Sequence, residues 1–210
     1  MKISRSSLAV VLVFCVVGGL GAYRFLAFRP RHVVAVAEVR VPVRVKGDAA
    51  APVRIVEYTD FQCPACSRAS DALEGLMKKY SGKIFLEHRH FPLPQHSRSL
   101  RASVFAECAA GQGKFWPFYD VLFRSQKSWA EMVSVDSYFS ELAVSMGLDG
   151  SLLSVCVNSP EANMTVRKDK EDGSALGVRS TPTFFINGKM VVGDQLLLAE
   201  VENILGLGKK

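Results

Sequence analysis

Val53-Arg54-Ile55-Val56-Glu57-Tyr58-Thr59-Asp60-Phe61-Gln62-Cys63-Pro64-Ala65-Cys66 is the stretch that decides the fold. Its first six residues are rich in β-branched side chains and read as a buried strand. Thr59 to Gln62 form a turn. Pro64 falls in the first turn of the next segment, where a missing N–H costs nothing. Ala69, Leu73, Leu76 and Met77 then recur at helical spacing up to Tyr80, and Gly82 ends the helix. Cys63 is therefore expected at the N-cap and exposed, with Cys66 one turn in and more buried.

Two sulfurs at this spacing can close a small ring and open it again. The nucleophilic form is the thiolate, which a helix N-terminus stabilises through free N–H groups and partial positive charge. The pair thus points to dithiol–disulfide exchange. Half a zinc site is the first alternative, with His88 and His90 as further ligands, since thiolate and imidazole are good zinc ligands. No second C-x-x-C exists, and a helix-starting pair after a strand fits redox chemistry better. A merely structural disulfide is the second alternative, although so short a loop removes little unfolded-state entropy. The expectation is no bound metal and no cofactor.

At 210 residues the chain suits one globular domain with an insertion and a leader. The formal charge of +6 is unevenly spread. Residues 1–37 hold five basic residues (Lys2, Arg5, Arg24, Arg29, Arg31) and no acidic ones. That leaves 21 of the 26 basic residues against 20 acidic ones, a net of +1 in residues 38–210. Nucleic-acid binding has no electrostatic support. Residues 1–28 read as an export signal or membrane anchor: Lys2 and Arg5 precede an uncharged apolar stretch from Leu8 to Tyr23. With Phe25 to Phe28 it approaches the ~20 residues that span a bilayer. A retained anchor is preferred over cleavage after Gly19-Leu20-Gly21, and the positive residues place the domain on the exported side. Cys15 lies in this run and reads as a small apolar residue.

Four further cysteines remain: Cys63, Cys66, Cys108 and Cys156. An even count in an exported chain permits disulfides. With the adjacent pair set apart, Cys108 and Cys156 are expected to form a second, non-catalytic bridge; two buried free thiols are the alternative.

Residues 29–51 read as a linker with an edge strand, Glu38 to Lys46. Residues 52–94 carry strand, helix and a second strand, Lys83 to Phe91, ending at Pro92-Leu93-Pro94. Residues 95–176 are helical in pattern: Arg101–Ala110, Phe115–Phe123, Val135–Met146, Leu152–Val157 and Pro160–Leu176. Residues 177–207 return to strands, Thr183–Ile186 and Lys189–Val192, joined by the hairpin signal Asn187-Gly188, and close on a helix from Leu196 to Leu205. This is an α/β sheet protein split by a helical insertion. His88, His90 and His96 read as strand-face or loop residues, Trp116 as helical core, and Arg167 to Lys170 as a solvated helix face.

The stretch from Ala51 to Cys66 resembles the active-site strand and helix of DsbA-like thiol:disulfide oxidoreductases. His90-Phe91-Pro92-Leu93, residues 106–123 with Phe115-Trp116, and the segment from Gly177 to Gly188 also match. The resemblance covers residues 46–206. It implies a thioredoxin fold, a central mixed sheet flanked by helices, with an inserted all-helical subdomain. It implies that Thr181-Pro182 is the family's cis-proline loop, whose backbone can pair with an extended substrate by strand addition. It maps Glu57 to a buried acid beneath the dithiol that exchanges a proton with Cys66. Cys63 is then the reactive sulfur and Cys66 the resolving one, with Pro64, Ala65, Thr181 and Pro182 contacting substrate. Ala65 departs from the best-known pattern, which has an imidazole there, so a milder oxidant is implied.

The expected function is an exported oxidase that introduces disulfides into secreted or envelope proteins. A periplasmic reductase or isomerase is the alternative, and a non-catalytic binding or chaperone module with a structural disulfide is the alternative of another class. The partners implied are reduced or unfolded exported proteins and a membrane redox protein that recycles the dithiol, in the bacterial periplasm or at the envelope exterior. No dimerisation segment is evident, which favours a monomer.

Overall fold

The structure is a computed structural model that describes residues 44–207. The expected leader, Cys15 and the Glu38–Val43 part of the edge strand lie outside the described residues. Among the described residues no helix is long and apolar enough to cross a membrane.

Five strands, β1 (Val45–Gly47), β2 (Val53–Thr59), β3 (Ile84–His90), β4 (Thr183–Ile186) and β5 (Lys189–Val192), form one mixed sheet in the order β1-β3-β2-β4-β5. β2 and β3 run parallel, joined through helix α1 (Pro64–Lys79); the other pairings are antiparallel. The parallel pair needs such a crossover, whereas β4 and β5 need only two residues. Those are Asn187 and Gly188, both left-handed with φ 48° and 86°. A two-residue turn with positive φ at both positions matches the twist of its strands. At the other edge Gly47 has φ 94°, and a Cβ there would lie 2.1 Å from the Ile84 carbonyl oxygen. Only glycine fits.

Between β3 and β4 stand α2 (Ser99–Gly111), α3 (Phe115–Arg124), α4 (Gln126–Trp129), α5 (Asp136–Ser145), α6 (Gly150–Val157) and α7 (Pro160–Ala175). Helix α8 (Asp194–Ile204) closes the chain. The fold is thus a thioredoxin fold with a helical insertion, as expected.

Alternation along the strands sorts the cores. Val53, Ile55, Ile84, Leu86, Phe184 and Ile186 pack one face of the sheet against Leu73 and Leu76 of α1 and Leu197 and Val201 of α8. Each such burial contributes roughly 1.5–3 kcal/mol. On the other face Tyr58, Phe91 and Val178 form a small cluster. The helical insertion has its own core around Phe105, Phe118, Leu122, Trp129 and Phe139. Phe61, Cys63 and Cys66 belong to that core, so the dithiol sits where the insertion meets the sheet. Cys108 on α2 and Cys156 on α6 are bonded to each other.

Candidate active site

The turn after β2 is built by Asp60, which is fully buried. Its carboxylate accepts N–H bonds from Gln62 (2.7 Å) and Leu93 (2.8 Å) and lies 2.7 Å from His96 Nδ1. The Asp60 carbonyl accepts the Cys63 N–H at 3.0 Å. Cys63 then caps α1, with extended backbone (φ −74°, ψ 121°) and Pro64 directly after it. No side-chain oxygen takes up the first-turn N–H groups and no acidic residue stands in that turn. The sulfur therefore meets the positive end of the helix without competition.

Thr181-Pro182 is cis, and both residues are buried. The Thr181 carbonyl accepts the Cys63 thiol at 3.5 Å. This covering loop corrects one expectation: Cys63 is 7 % exposed, not open to solvent, and Cys66 is fully enclosed. Pro64 beside them is exposed and Ala65 half-buried. Both thiols are free.

The two sulfurs differ in acidity. The hydrogen bond from Cys66 lowers the Cys63 pKa most; burial opposes it, and the Cys66 and Ala65 backbone and Thr181 add to it, leaving a value of about 5. Burial pushes the Cys66 thiol well up, and its bond to Cys63 and that group's charge push it further. Neutral pH thus favours the thiolate at Cys63 and the thiol at Cys66.

Glu57 is fully enclosed on the same strand face as Ile55 and Thr59. The Tyr119 hydroxyl donates to its carboxylate at 3.1 and 3.2 Å. Burial raises its pKa to about 7, against lowering by Tyr119, Lys46 and Thr59. Opposite it in register stands His88, with Nδ1 3.5 Å from Glu57 Oε2. His88 and His90 stand on the face of β3, as expected. Both are fully buried, their rings joined by a 3.2 Å Nε2–Nδ1 contact, and His90 Nε2 lies 2.8 Å from Glu107. Burial lowers both imidazole pKa values, so both rings are neutral. The signal was in β3 itself: Ile84, Leu86, His88 and His90 alternate on one face. The solvated-face reading of Arg167 to Lys170 is also corrected at Asp169, which is buried and paired with Arg44 at 2.7 Å and Arg89 at 3.0 Å. Trp116 is half-buried, with Nε1 donating to the Val45 carbonyl at 2.9 Å, which holds β1 to α3. Tyr119, Gln126, Asp60 and Thr59 are site residues that no motif singles out.

A proline-loop-covered dithiol at a helix N-cap, over a buried acid, defines a class of protein, and the comparisons agree. A family model described as Thioredoxin matches residues 41–205. The chain belongs to the thioredoxin family, with the helical insertion of its DsbA-type members. Among solved structures it is similar to α-DsbA1 of Wolbachia pipientis (TM-score 0.68, 23% identity, 78% of this chain and 91% of that one). It is also similar to a thioredoxin-like oxidoreductase from Silicibacter pomeroyi DSS-3 (TM-score 0.64, 25% identity, 79% and 93%). A curated relative, a protein named Na(+)/H(+) antiporter NhaA 1 from Mycobacterium sp. (strain KMS), is 35% identical over 148 residues, 69% of this chain. The match spans only 23% of that relative's length.

Proposed function

We propose that this chain is a thiol:disulfide oxidoreductase that acts as an oxidase of exported proteins. The observation that carries the reading is the Cys63 sulfur at the N-cap of α1, held beside Cys66, whose hydrogen bond favours the Cys63 anion. A sulfur anion stabilised there favours the reduced enzyme, which makes the enzyme disulfide a ready electron acceptor.

In the oxidised enzyme a client thiolate attacks Cys63. The Cys63–Cys66 bond breaks, a mixed disulfide forms, and Cys66 leaves as an anion that takes a proton from Glu57. A second client thiolate attacks the client sulfur of the mixed disulfide. The client leaves oxidised and the enzyme keeps two electrons as the dithiol. A membrane redox partner removes them. Thr181 and Pro182 pair with the extended client, and Pro64 and Ala65 form the rim it crosses. Cys108–Cys156 takes no part. The work belongs to the periplasm or the envelope exterior, on the N-terminal anchor of residues 1–28 or free after its removal, with the protein acting as a monomer. The domain limits proposed are 29–51, 52–94, 95–176 and 177–207.

Ala65 favours a second reading, reductase or isomerase, because it offers the Cys63 thiolate no charge or side-chain donor. Equilibration with glutathione tests the choice. A potential near the DsbA end of the range, about −120 mV, supports the oxidase, and one near thioredoxin, about −270 mV, overturns it. A Cys63→Ser variant that still oxidises a reduced client overturns both.

A further inference from the structure

Cys66 is fully enclosed, yet its proton must leave and return once in every cycle, and it needs a route. Behind Glu57 lies a line of buried groups: His88 Nδ1 across a 3.5 Å gap from Glu57, then His88 Nε2 at 3.2 Å from His90 Nδ1 and His90 Nε2 at 2.8 Å from Glu107 Oε1. Arg44 clamps Glu107 at 2.6 Å, and Glu107 keeps a small exposed edge. We propose that Glu57, His88, His90 and Glu107 form a proton path that connects Cys66 with solvent across the sheet.

The bond directions are consistent. The Glu107 carboxylate, held by Arg44, accepts from His90 Nε2–H. His90 Nδ1 is then an acceptor and takes the His88 Nε2–H. That leaves His88 Nδ1 bare, and it is a buried nitrogen with no hydrogen-bond partner. Its nearest acid is Glu57, which can donate to it. Thr59 stands on the same strand face between Glu57 and the dithiol; its buried hydroxyl makes no bond of full geometry and acts on both Cys66 and Glu57.

When Cys66 is reoxidised its proton moves to Glu57, the Glu57 proton to His88 Nδ1, the His88 Nε2 proton to His90, and the His90 Nε2 proton to Glu107 and water. Every imidazole now holds its proton on Nδ1. That is the arrangement needed to carry a proton inward when a client next opens the disulfide and Cys66 leaves. One proton passes out and one in per cycle, with no ring rotation.

The surroundings keep the line selective. Glu57 meets Tyr119 from α3, Lys46 from β1 and His88 from β3, while its β4 partner is the apolar Phe184. Thr59 and Tyr119, which both act on Glu57 and on Cys66 or feel its charge, link it to the dithiol. Among the described residues the charged or titratable groups that act on His88 are His90, Arg44 and Arg89, with Glu57 3.5 Å away, under the rings of Phe61, Phe115 and Tyr119. His90 meets Glu107, Arg44 and Asp169. His88, His90 and Glu107 touch no reacting sulfur; they are positioning residues that act through Glu57.

This inference rests on the exchange activity proposed above. The test is stopped-flow exchange with glutathione from pH 5 to 9 on wild type, His88→Gln and Glu107→Gln. Glutamine can accept and donate at these places but cannot pass a proton on. We expect the step that opens the Cys63–Cys66 bond to slow by about tenfold or more, the low end of or below general acid–base effects. Its pH profile should flatten while the redox potential stays at the wild-type value, because the path changes rates and not end states. Folded variants with the wild-type rate and profile overturn the path. So does a linear proton inventory in mixed H2O and D2O on the wild type, which stands whether or not the variants fold. A wild type that does not exchange at all overturns the oxidoreductase reading instead.

Discussion

Gln126 Nε2, from the helical insertion, donates to the carbonyl of Cys63 at 3.0 Å and to that of Phe61 at 2.7 Å. The insertion therefore pins the turn that presents Cys63. The Cys63 carbonyl also accepts N–H bonds from Cys66 and Ser67, so it survives the loss of Gln126. The Phe61 carbonyl depends on Gln126 more heavily. Gln126→Ala should cost about 1–3 kcal/mol, the penalty for one buried acceptor left unpaired. Urea denaturation measures this, and a loss below about 0.5 kcal/mol, the size of an ordinary surface change, contradicts it.

The Cys63 thiol should titrate with a midpoint near pH 5 in the reduced enzyme. Its folded value lies below the ordinary 9.0, so it favours the reduced fold above pH 9 and progressively loses that effect as pH falls to 5. Thiolate absorbance and the rate of alkylation should follow one curve, and Cys63→Ser should remove it. A midpoint above pH 8 is the contrary result.

Glu57 acts in the opposite sense. Its folded value of about 7 lies above the ordinary 4.5, so the fold binds a proton the unfolded chain has lost. Stability should fall between pH 4.5 and 7 by roughly 3 kcal/mol in all from this group. Glu57→Gln keeps the Tyr119 bond and removes the titration. It should be the more stable protein at pH 8 and show no such slope. Equal slopes in the two proteins would falsify the assignment.

The fold was legible because β2, the dithiol helix and the β4–β5 hairpin each carry a local signal: β-branched residues, proline in a first turn, Asn187-Gly188. The buried line behind Glu57 was not. His88 and His90 are polar residues on a strand, and alternation says only that they share a face with Leu86. Which helix covers that face decides whether they meet water or Phe115 and Tyr119, and the contact is made 25 to 31 residues away in sequence. Asp169 is the same case. Its neighbours Arg167 and Lys168 are exposed, and it is buried only because α7 lays it against Arg44 and Arg89. The depth of Cys63 was also hidden, since the loop that covers it comes 118 residues later.

Gly173, in the last turn of α7, looks like a helix defect worth up to about 1 kcal/mol. A Cβ there would lie 2.6 Å from Tyr58 Cε1 and 3.1 Å from Phe91 Cδ2. Tyr58 cannot swing away, because Phe91 and Phe185 pack edge-on against its ring. Overpacking of about 1–3 kcal/mol outweighs the propensity gain. Gly173→Ala should therefore lower the melting temperature, and a rise would show that the aromatic cluster yields.

The Cys108–Cys156 bridge spans 48 residues and ties α2 to α6 across the helical core. A loop of that length removes about 4 kcal/mol of unfolded-state entropy in the chain-entropy account. Cys108 is buried, so replacing both residues by alanine also costs a small cavity. The double variant should lose about 2–5 kcal/mol in denaturant. Its exchange rate with glutathione should stay at the wild-type value, because the bridge ties α2 to α6, whereas the dithiol stands at the start of α1 beside Thr181. A loss of exchange in the folded double variant would instead place these sulfurs in the electron path. Mass spectrometry after thiol blocking decides it independently: of the four cysteines beyond residue 28, only Cys63 and Cys66 should be labelled once the enzyme has been gently reduced.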